Sequence, residues 1–120
     1  MLEKIPSVIV VGEVSDGCDA LDRVKSDRPD LVLMDITMTS LNGLEAAARI
    51  VRDQPAVKIV ILSMHAQEAY VRQALRAGAS GYLLKDAAAT ELERAITTVA
   101  RGDVYLSHAV SRTVIEGYLL

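Results

Sequence analysis

Four short apolar runs recur along this 120-residue chain, and a segment of helix length separates each run from the next. The runs are rich in β-branched residues and do not alternate with polar ones, which is typical of strands that are covered on both faces. Such strands belong to parallel sheets flanked by helices, so an α/β fold is expected. The runs lie at residues 8–11, 31–34, 57–62 and 82–84.

The segments after these runs are amphipathic, with apolar residues at helical spacing. A proline or glycine follows each of them and predicts where the helix ends. This alternation predicts a doubly wound parallel sheet. The predicted helices cover 18–26, 42–54, 67–77 and 90–101, with a short extended piece at 104–107 and a further helix at 108–118.

Composition limits the function classes. The length suits one domain, and a net charge of −3 gives no basic footprint for nucleic acid. Cys18 is the single cysteine, so an intramolecular disulfide is excluded and a reduced, cytoplasmic setting is expected. No apolar run is long enough to cross a bilayer, and no signal-peptide pattern begins the chain, so no contact with a membrane is expected.

Three polar residues follow three consecutive predicted strands, namely Asp35, Ser63 and Lys85. Because ligands gather at the carboxyl ends of parallel strands, these side chains are expected to converge. A carboxylate can attack phosphorus and form an acyl phosphate, which needs a lysine and Mg²⁺ as countercharges. Taken singly, Asp35 suits a turn or helix cap, Ser63 a helix cap and Lys85 a solvated surface position. The combination is what indicates phosphoryl chemistry.

Two stretches resemble a known family. The residues around Asp35 are similar to the phosphoacceptor strand of bacterial response regulators, and those before Asp86 are similar to the lysine segment of their LuxR/FixJ-type branch. The aspartate after Lys85 is also typical of that branch. The stretches read Leu33-Met34-Asp35-Ile36 with Met38 and Leu41-Asn42-Gly43, and ALRAGASGYLLKD over residues 74–86.

The resemblance implies a CheY-like, flavodoxin-like receiver fold and a role for each matching residue. Asp35 would be the phosphoacceptor and Lys85 the cation that contacts the phosphoryl group. Ser63 would be the switch hydroxyl, and Tyr82 the aromatic whose rotamer follows it. Together with Asp35, the backbone carbonyl of Thr37 would be a Mg²⁺ ligand.

The sequence departs from the family in two places. Thr39 stands where a proline is usual, and the pair of acidic residues that holds Mg²⁺ after the first strand is missing. Glu13 cannot supply that pair, because the interval from Glu13 to Asp35 is too short for two parallel crossovers of about a dozen residues each. The run at 8–11 is therefore interpreted as the second strand, and Mg²⁺ binding by this chain is expected to be weak or absent.

The first strand and most of the first helix are thus expected to be missing, so the fold would be an N-terminally truncated receiver. In the family's sheet order that strand lies between the runs at 8–11 and 31–34, so its loss leaves strand edges without partners. Repacking, exchange of segments with a second copy, or recruitment of the C-terminal tail could each compensate. Residues 1–107 are expected to be the receiver, and 108–120 a tail or the start of a linker to an absent output domain.

The resemblance implies a two-component phosphorelay receiver rather than an enzyme, with at most self-catalysed phosphoryl transfer and autodephosphorylation. Its partner would be a sensor histidine kinase, with a homodimer as a further option. DNA would be bound only through a helix-turn-helix output domain of a longer transcription regulator. One alternative is a phosphorylation-independent pseudo-receiver that serves as a dimerisation or interaction module. Another is a small hydrolase with an aspartate nucleophile, which would need a second carboxylate near Asp35.

Overall fold

A computed structural model of the chain describes residues 17–35, 43–64, 66–86 and 89–119. Within these ranges helices and strands alternate, as predicted. None of these helices is long and apolar enough to cross a bilayer. The predicted strand at 8–11 lies outside the described residues. The elements are α1 (Gly17–Asp27), β1 (Leu31–Asp35), α2 (Gly43–Asp53), β2 (Lys58–Ser63), α3 (Glu68–Arg76), β3 (Gly81–Leu84), α4 (Ala89–Ala100), β4 (Tyr105–Leu106) and α5 (His108–Leu119).

The four described strands form one parallel sheet in the order β1-β2-β3-β4. The register aligns Asp35 with Leu62 and Ser63 with Leu84. The carboxyl ends of β1, β2 and β3 therefore lie along one edge of the sheet, with the last residue of each strand close to that of its neighbour. This arrangement confirms the α/β class and places the polar residues that follow the strands side by side.

Two hydrophobic clusters cover the two faces of the sheet, because successive side chains of a strand point to opposite faces. On one face Ile59, Ile61 and Tyr82 pack with residues of α1, α2, α3 and α5. On the other face Val60 and Leu83 pack against α4. Strands β2 and β3 are thus buried on both sides, which explains their continuously apolar sequences.

Helices α3 and α4 end where the sequence predicts, next to glycines with positive φ. Gly78 follows α3 with a φ of 102°, and Gly102 follows α4 with a φ of 97°. Residues with a Cβ rarely adopt this conformation, so glycine allows the chain to leave the helix at both positions.

The C-terminal tail joins the fold by adding β4 to the sheet alongside β3. Strand β4 pairs parallel with β3, and helix α5 then packs against α3, with Val110 fully buried. Recruitment of the tail had been one of three options for filling a gap beside β1. The structure places the tail beside β3, at the opposite edge of the described sheet.

Candidate functional site

Asp35 and Lys85 form an ion pair at the carboxyl end of the sheet. Asp35 is the last residue of β1, and Lys85 directly follows β3, two strands away. The Lys85 Nζ lies 2.6 Å from the Asp35 Oδ2. The side chain of Lys85 is 38% exposed and that of Asp35 is 32% exposed. Reagents in solution can therefore reach the carboxylate while a cation stands beside it. This is the environment that phosphoryl transfer to a carboxylate requires.

Ser63 lies between these two residues, at the end of the intervening strand β2. Ser63 is fully buried, and its backbone carbonyl accepts a hydrogen bond of 2.8 Å from the backbone N–H of Lys85. The backbone that carries the lysine is therefore tied to the backbone that carries the serine. A displacement of one would be passed to the other.

The side chains of Tyr82 and Ser63 are joined by a hydrogen bond. Tyr82 is the largest fully buried side chain of the described residues. Burial raises the pKa of the Tyr82 phenol above its usual 10.0; the bond from Ser63 lowers it in part, and the neighbouring Tyr70 adds to the rise. A hydroxyl this deep in the core depends on hydrogen bonding, because an unsatisfied polar group is costly to bury.

The described residues test the predicted Mg²⁺ site only in part. Asp35 supplies the oxygen chemistry that this ion prefers, but Thr37 lies outside the described residues. Within the ranges covered by the structure, no three His, Cys, Asp or Glu residues cluster as metal ligands would. One carboxylate, already paired with Lys85, fits the ion in kind but does not make a complete site.

Two contacts near the site were not predicted from the sequence. Val110 of the tail joins the same buried cluster as Tyr82. The Tyr105 hydroxyl donates a hydrogen bond of 3.5 Å to Glu91 Oε1 and links β4 to the first turn of α4. The spacing of Val110 and Val114, four residues apart, is the signal that could have placed one face of the tail helix in the core.

A surface cleft of about 570 Å³ lies away from these residues. Lys25, Arg28, Asp53 and Gln54 line it, at the C-terminal ends of α1 and α2. The cleft contains none of the predicted site residues, and its charges are of both signs. The cleft therefore does not include the ion pair of Asp35 and Lys85.

The described chain is thus a parallel α/β sheet that brings a partly exposed aspartate and a lysine together at its strand ends. Residues 1–97 match the response regulator receiver domain family, and the chain belongs to that family. Receiver domains are signalling domains that generally bind Mg²⁺. Response regulators interact with histidine kinases and, through output domains, with DNA.

The relatives include LuxR-type response regulators. The transcriptional regulatory protein DegU of Brevibacillus brevis is 41% identical over 94% of this chain and 48% of its own length. A LuxR-family two-component response regulator from Aurantimonas sp. SI85-9A1 has a TM-score of 0.93 at 32% identity, over 98% of this chain and 84% of that one.

The isolated receiver domain of RcsB from Salmonella enterica serovar Typhimurium was solved in the presence of the phosphomimetic BeF₃⁻. It has a TM-score of 0.84 at 27% identity, over 94% of this chain and 84% of that one. The chain spans about half the length of the curated relatives it matches.

Proposed function

We propose that this receiver accepts a phosphoryl group on Asp35 from a sensor histidine kinase. The observation that carries the proposal is the 2.6 Å contact between the Asp35 carboxylate and the Lys85 ammonium, on a partly exposed edge of the sheet. An ordinary surface ion pair would account for the distance, but not for its position at the strand ends of a receiver fold.

The proposed reaction follows from this geometry. An Asp35 carboxylate oxygen attacks the phosphorus of a phosphohistidine, the P–N bond breaks, and its electron pair returns to the imidazole. Lys85 then pairs with the new phosphoryl oxygens as it pairs with the carboxylate now. Attack of water on the acyl phosphate would restore the free Asp35 carboxylate and release inorganic phosphate. Both steps would be self-catalysed.

Mg²⁺, when bound, neutralises further charge on the phosphoryl oxygens. In this chain Asp35 and the carbonyl of Thr37 are the residues proposed to hold it. Because a strongly hydrated ion needs more ligands than these, the binding is proposed to be weak. Phosphorylation should consequently be slow and should increase with Mg²⁺ concentration without saturating readily.

Ser63 is proposed to report the new state. Its hydroxyl, now bonded to Tyr82, would donate to a phosphoryl oxygen on Asp35 and release the Tyr82 hydroxyl. Tyr82 would then change its rotamer or its contacts within the core.

In a longer protein, residues 1–107 would be the receiver and 108–120 the start of a connection to an output domain. DegU and similar relatives are regulators of transcription, which supports the same role here. DNA would then be bound by the output domain, with a homodimer as one form of the active protein. The competing proposal is a pseudo-receiver that acts without phosphorylation. That reading would follow if the natural protein also lacks the acidic pair of the family.

The experiment is intact mass spectrometry after incubation with acetyl phosphate over a range of Mg²⁺ concentrations. We expect a slow gain of one phosphoryl group, which Asp35→Asn abolishes. Asp30→Asn is the matched control, because Asp30 is an exposed aspartate just before β1, at the opposite end of that strand. It should be phosphorylated like the unaltered chain. No gain at any Mg²⁺ concentration would refute the proposal and favour the pseudo-receiver.

A further inference from the structure

Met64 is a large apolar residue that is open to solvent directly after Ser63. It is 74% exposed, whereas Met34, the other methionine within the described ranges, is fully buried in β1. A thioether on the surface meets dissolved oxidants, while one in a packed core is shielded from them. The two methionines therefore differ sharply in the access that a peroxide has to their sulfur atoms.

Met64 lies on the same face of the sheet as the ion pair of Asp35 and Lys85. Successive side chains of a strand alternate between the two faces, so residues two positions apart share a face. The hydrophobic cluster packed against α4 contains the residue two positions before each of these three, namely Leu33, Leu62 and Leu83. The carboxylate, the thioether and the ammonium therefore stand on the side of the sheet that α4 covers.

The ion pair crosses the strand that leads to Met64. Asp35 ends β1 and Lys85 follows β3, so their 2.6 Å contact spans two inter-strand spacings of about 4.8 Å each, with β2 between them. The bond from the Lys85 N–H to the Ser63 carbonyl continues the ladder of β2 and β3 by one step, which makes Met64 the neighbour of Lys85. The thioether is therefore within reach of the ammonium, toward the open edge of the sheet.

We propose that Met64 is an oxidation site, and that its conversion to the sulfoxide by a peroxide slows the acceptance of a phosphoryl group by Asp35. The effect on Asp35 rests on the proposed function, whereas the oxidation itself does not. With hydrogen peroxide, the sulfur lone pair attacks one peroxide oxygen and the O–O bond breaks. The sulfur loses two electrons and keeps that oxygen, and the other oxygen leaves as water.

The sulfoxide acts through Lys85. A thioether is a weak hydrogen-bond acceptor, but the oxygen of a sulfoxide is strongly polar. The Lys85 ammonium has three N–H donors, and a sulfoxide on the neighbouring strand takes one of them. Lys85 then has less to offer to the charge that develops on the phosphoryl oxygens, so transfer to Asp35 slows. The rate should fall by about threefold to tenfold, the effect of roughly one hydrogen bond.

The first test does not depend on phosphorylation. After the folded chain is treated with hydrogen peroxide, peptide mass spectrometry should show that Met64 gains an oxygen faster than Met34 by about tenfold or more, because oxidation follows exposure. Dithiothreitol added afterwards reverses oxidation of Cys18 to a disulfide or sulfenic acid. The NMR signal of the Lys85 side chain, assigned by its absence in Lys85→Arg, should shift on oxidation and should not shift in Met64→Leu.

Phosphorylation by acetyl phosphate then tests the effect on Asp35. Peroxide should slow it in the unaltered chain and in Met34→Leu, the matched control for a buried methionine, but should have no effect in Met64→Leu. Met64→Gln, whose amide oxygen accepts a hydrogen bond as a sulfoxide does, should slow it without peroxide. Methionine sulfoxide reductases should restore the rate of the oxidised chain.

The outcomes separate this inference from the proposed function. If oxidation of Met64 shifts the Lys85 signal while neither form of the chain is phosphorylated, the oxidation site and its contact with Lys85 stand and the proposed phosphorylation fails. If the chain is phosphorylated and peroxide slows Met64→Leu as much as the unaltered chain, the role of Met64 is refuted. Phosphorylation that is equally fast before and after oxidation of Met64 refutes it too, and leaves the proposed function intact.

Discussion

Tyr82 combines two properties that seldom occur in one side chain. It is fully buried, as a core residue should be, and it carries a hydroxyl that is hydrogen-bonded to Ser63. Phenylalanine would fill the same volume without the need for a polar partner. A buried tyrosine at this position therefore makes the core sensitive to where the serine hydroxyl points.

The raised pKa of Tyr82 predicts how stability depends on pH. Because the folded state holds this proton more tightly than the unfolded chain does, the contribution of Tyr82 to the free energy of unfolding should be fully present below about pH 10 and should be lost as the pH rises through the folded pKa. Tyr82→Phe should make this fall shallower. Part of it should remain, because burial and Glu91 also raise the pKa of Tyr105. Urea unfolding from pH 8 to about 11.5 would measure the effect.

Tyr118→Phe is the control for that measurement. Its side chain is 88% exposed in the folded chain, so the substitution should leave the alkaline slope unaltered. An equal slope for the unaltered chain and for Tyr82→Phe would contradict the prediction.

The sequence predicted which residues would meet at the site, but not how each one is held. Parallel strands bring their ends to one edge, so Asp35, Ser63 and Lys85 could be placed near one another from position alone. The structure shows Lys85 in contact with Asp35, while the chemical roles of these residues stay predictions. The link between Ser63 and Tyr82 was expected only from the family resemblance, because apolar spacing does not show side-chain direction across neighbouring strands.

At the scale of elements, the turn after α3 is constrained both by its backbone conformation and by the space around it. Gly78 has a positive φ, and a Cβ there would lie 2.9 Å from Val51 Cγ1 on α2. Gly102, after α4, has a similar φ, but nothing lies within 4 Å of the corresponding position. The two glycines share the backbone requirement and differ in the space around them.

This pair allows backbone strain to be separated from steric conflict. Gly102→Ala should lower the free energy of unfolding by about 1 to 2 kcal/mol, because a side chain disfavours this φ. Gly78→Ala should cost about 1 to 3 kcal/mol more, because the stiff Val51 side chain must also give way. Chemical denaturation of both variants would measure the difference. Equal losses would show that the contact between α3 and α2 adjusts without cost.

The bounds of the elements were more predictable than their packing partners. Apolar spacing and the glycines at 78 and 102 located α3 and α4 to within one or two residues. The docking of α5 on α3 was missed, since the proximity of Gly117 to Glu68 depends on how two helices cross in space. Sequence periodicity indicates that a helix has a buried face, but it does not say which neighbour covers that face.

At the scale of the whole molecule, one sheet separates two hydrophobic clusters that share strands β2 and β3. Neither cluster can lose its packing without exposing strands on which the other depends. The two faces are therefore expected to unfold in a single transition, as is usual for a domain of this size.

Substitutions on opposite faces test this cooperativity. Val71→Ala on α3 and Val99→Ala on α4 each shorten a fully buried side chain, and each should cost about 2 kcal/mol. Both should move the same urea midpoint, with no change in slope, whether followed by far-UV circular dichroism or by the near-UV tyrosine signal. A separate transition for either variant would show that the two faces unfold independently.

The placement of the three polar residues on three successive parallel strands has a consequence during protein synthesis. Asp35, Ser63 and Lys85 are separated by whole helix-and-strand units, so no local segment of the chain holds more than one of them. Non-local contacts of this kind form late in folding. A nascent polypeptide that has emerged from the ribosome only as far as β2 exposes the aspartate without its lysine. Under the proposed function, an incomplete copy would therefore react poorly with a phosphodonor, because the ammonium group that stands beside Asp35 has not yet been made.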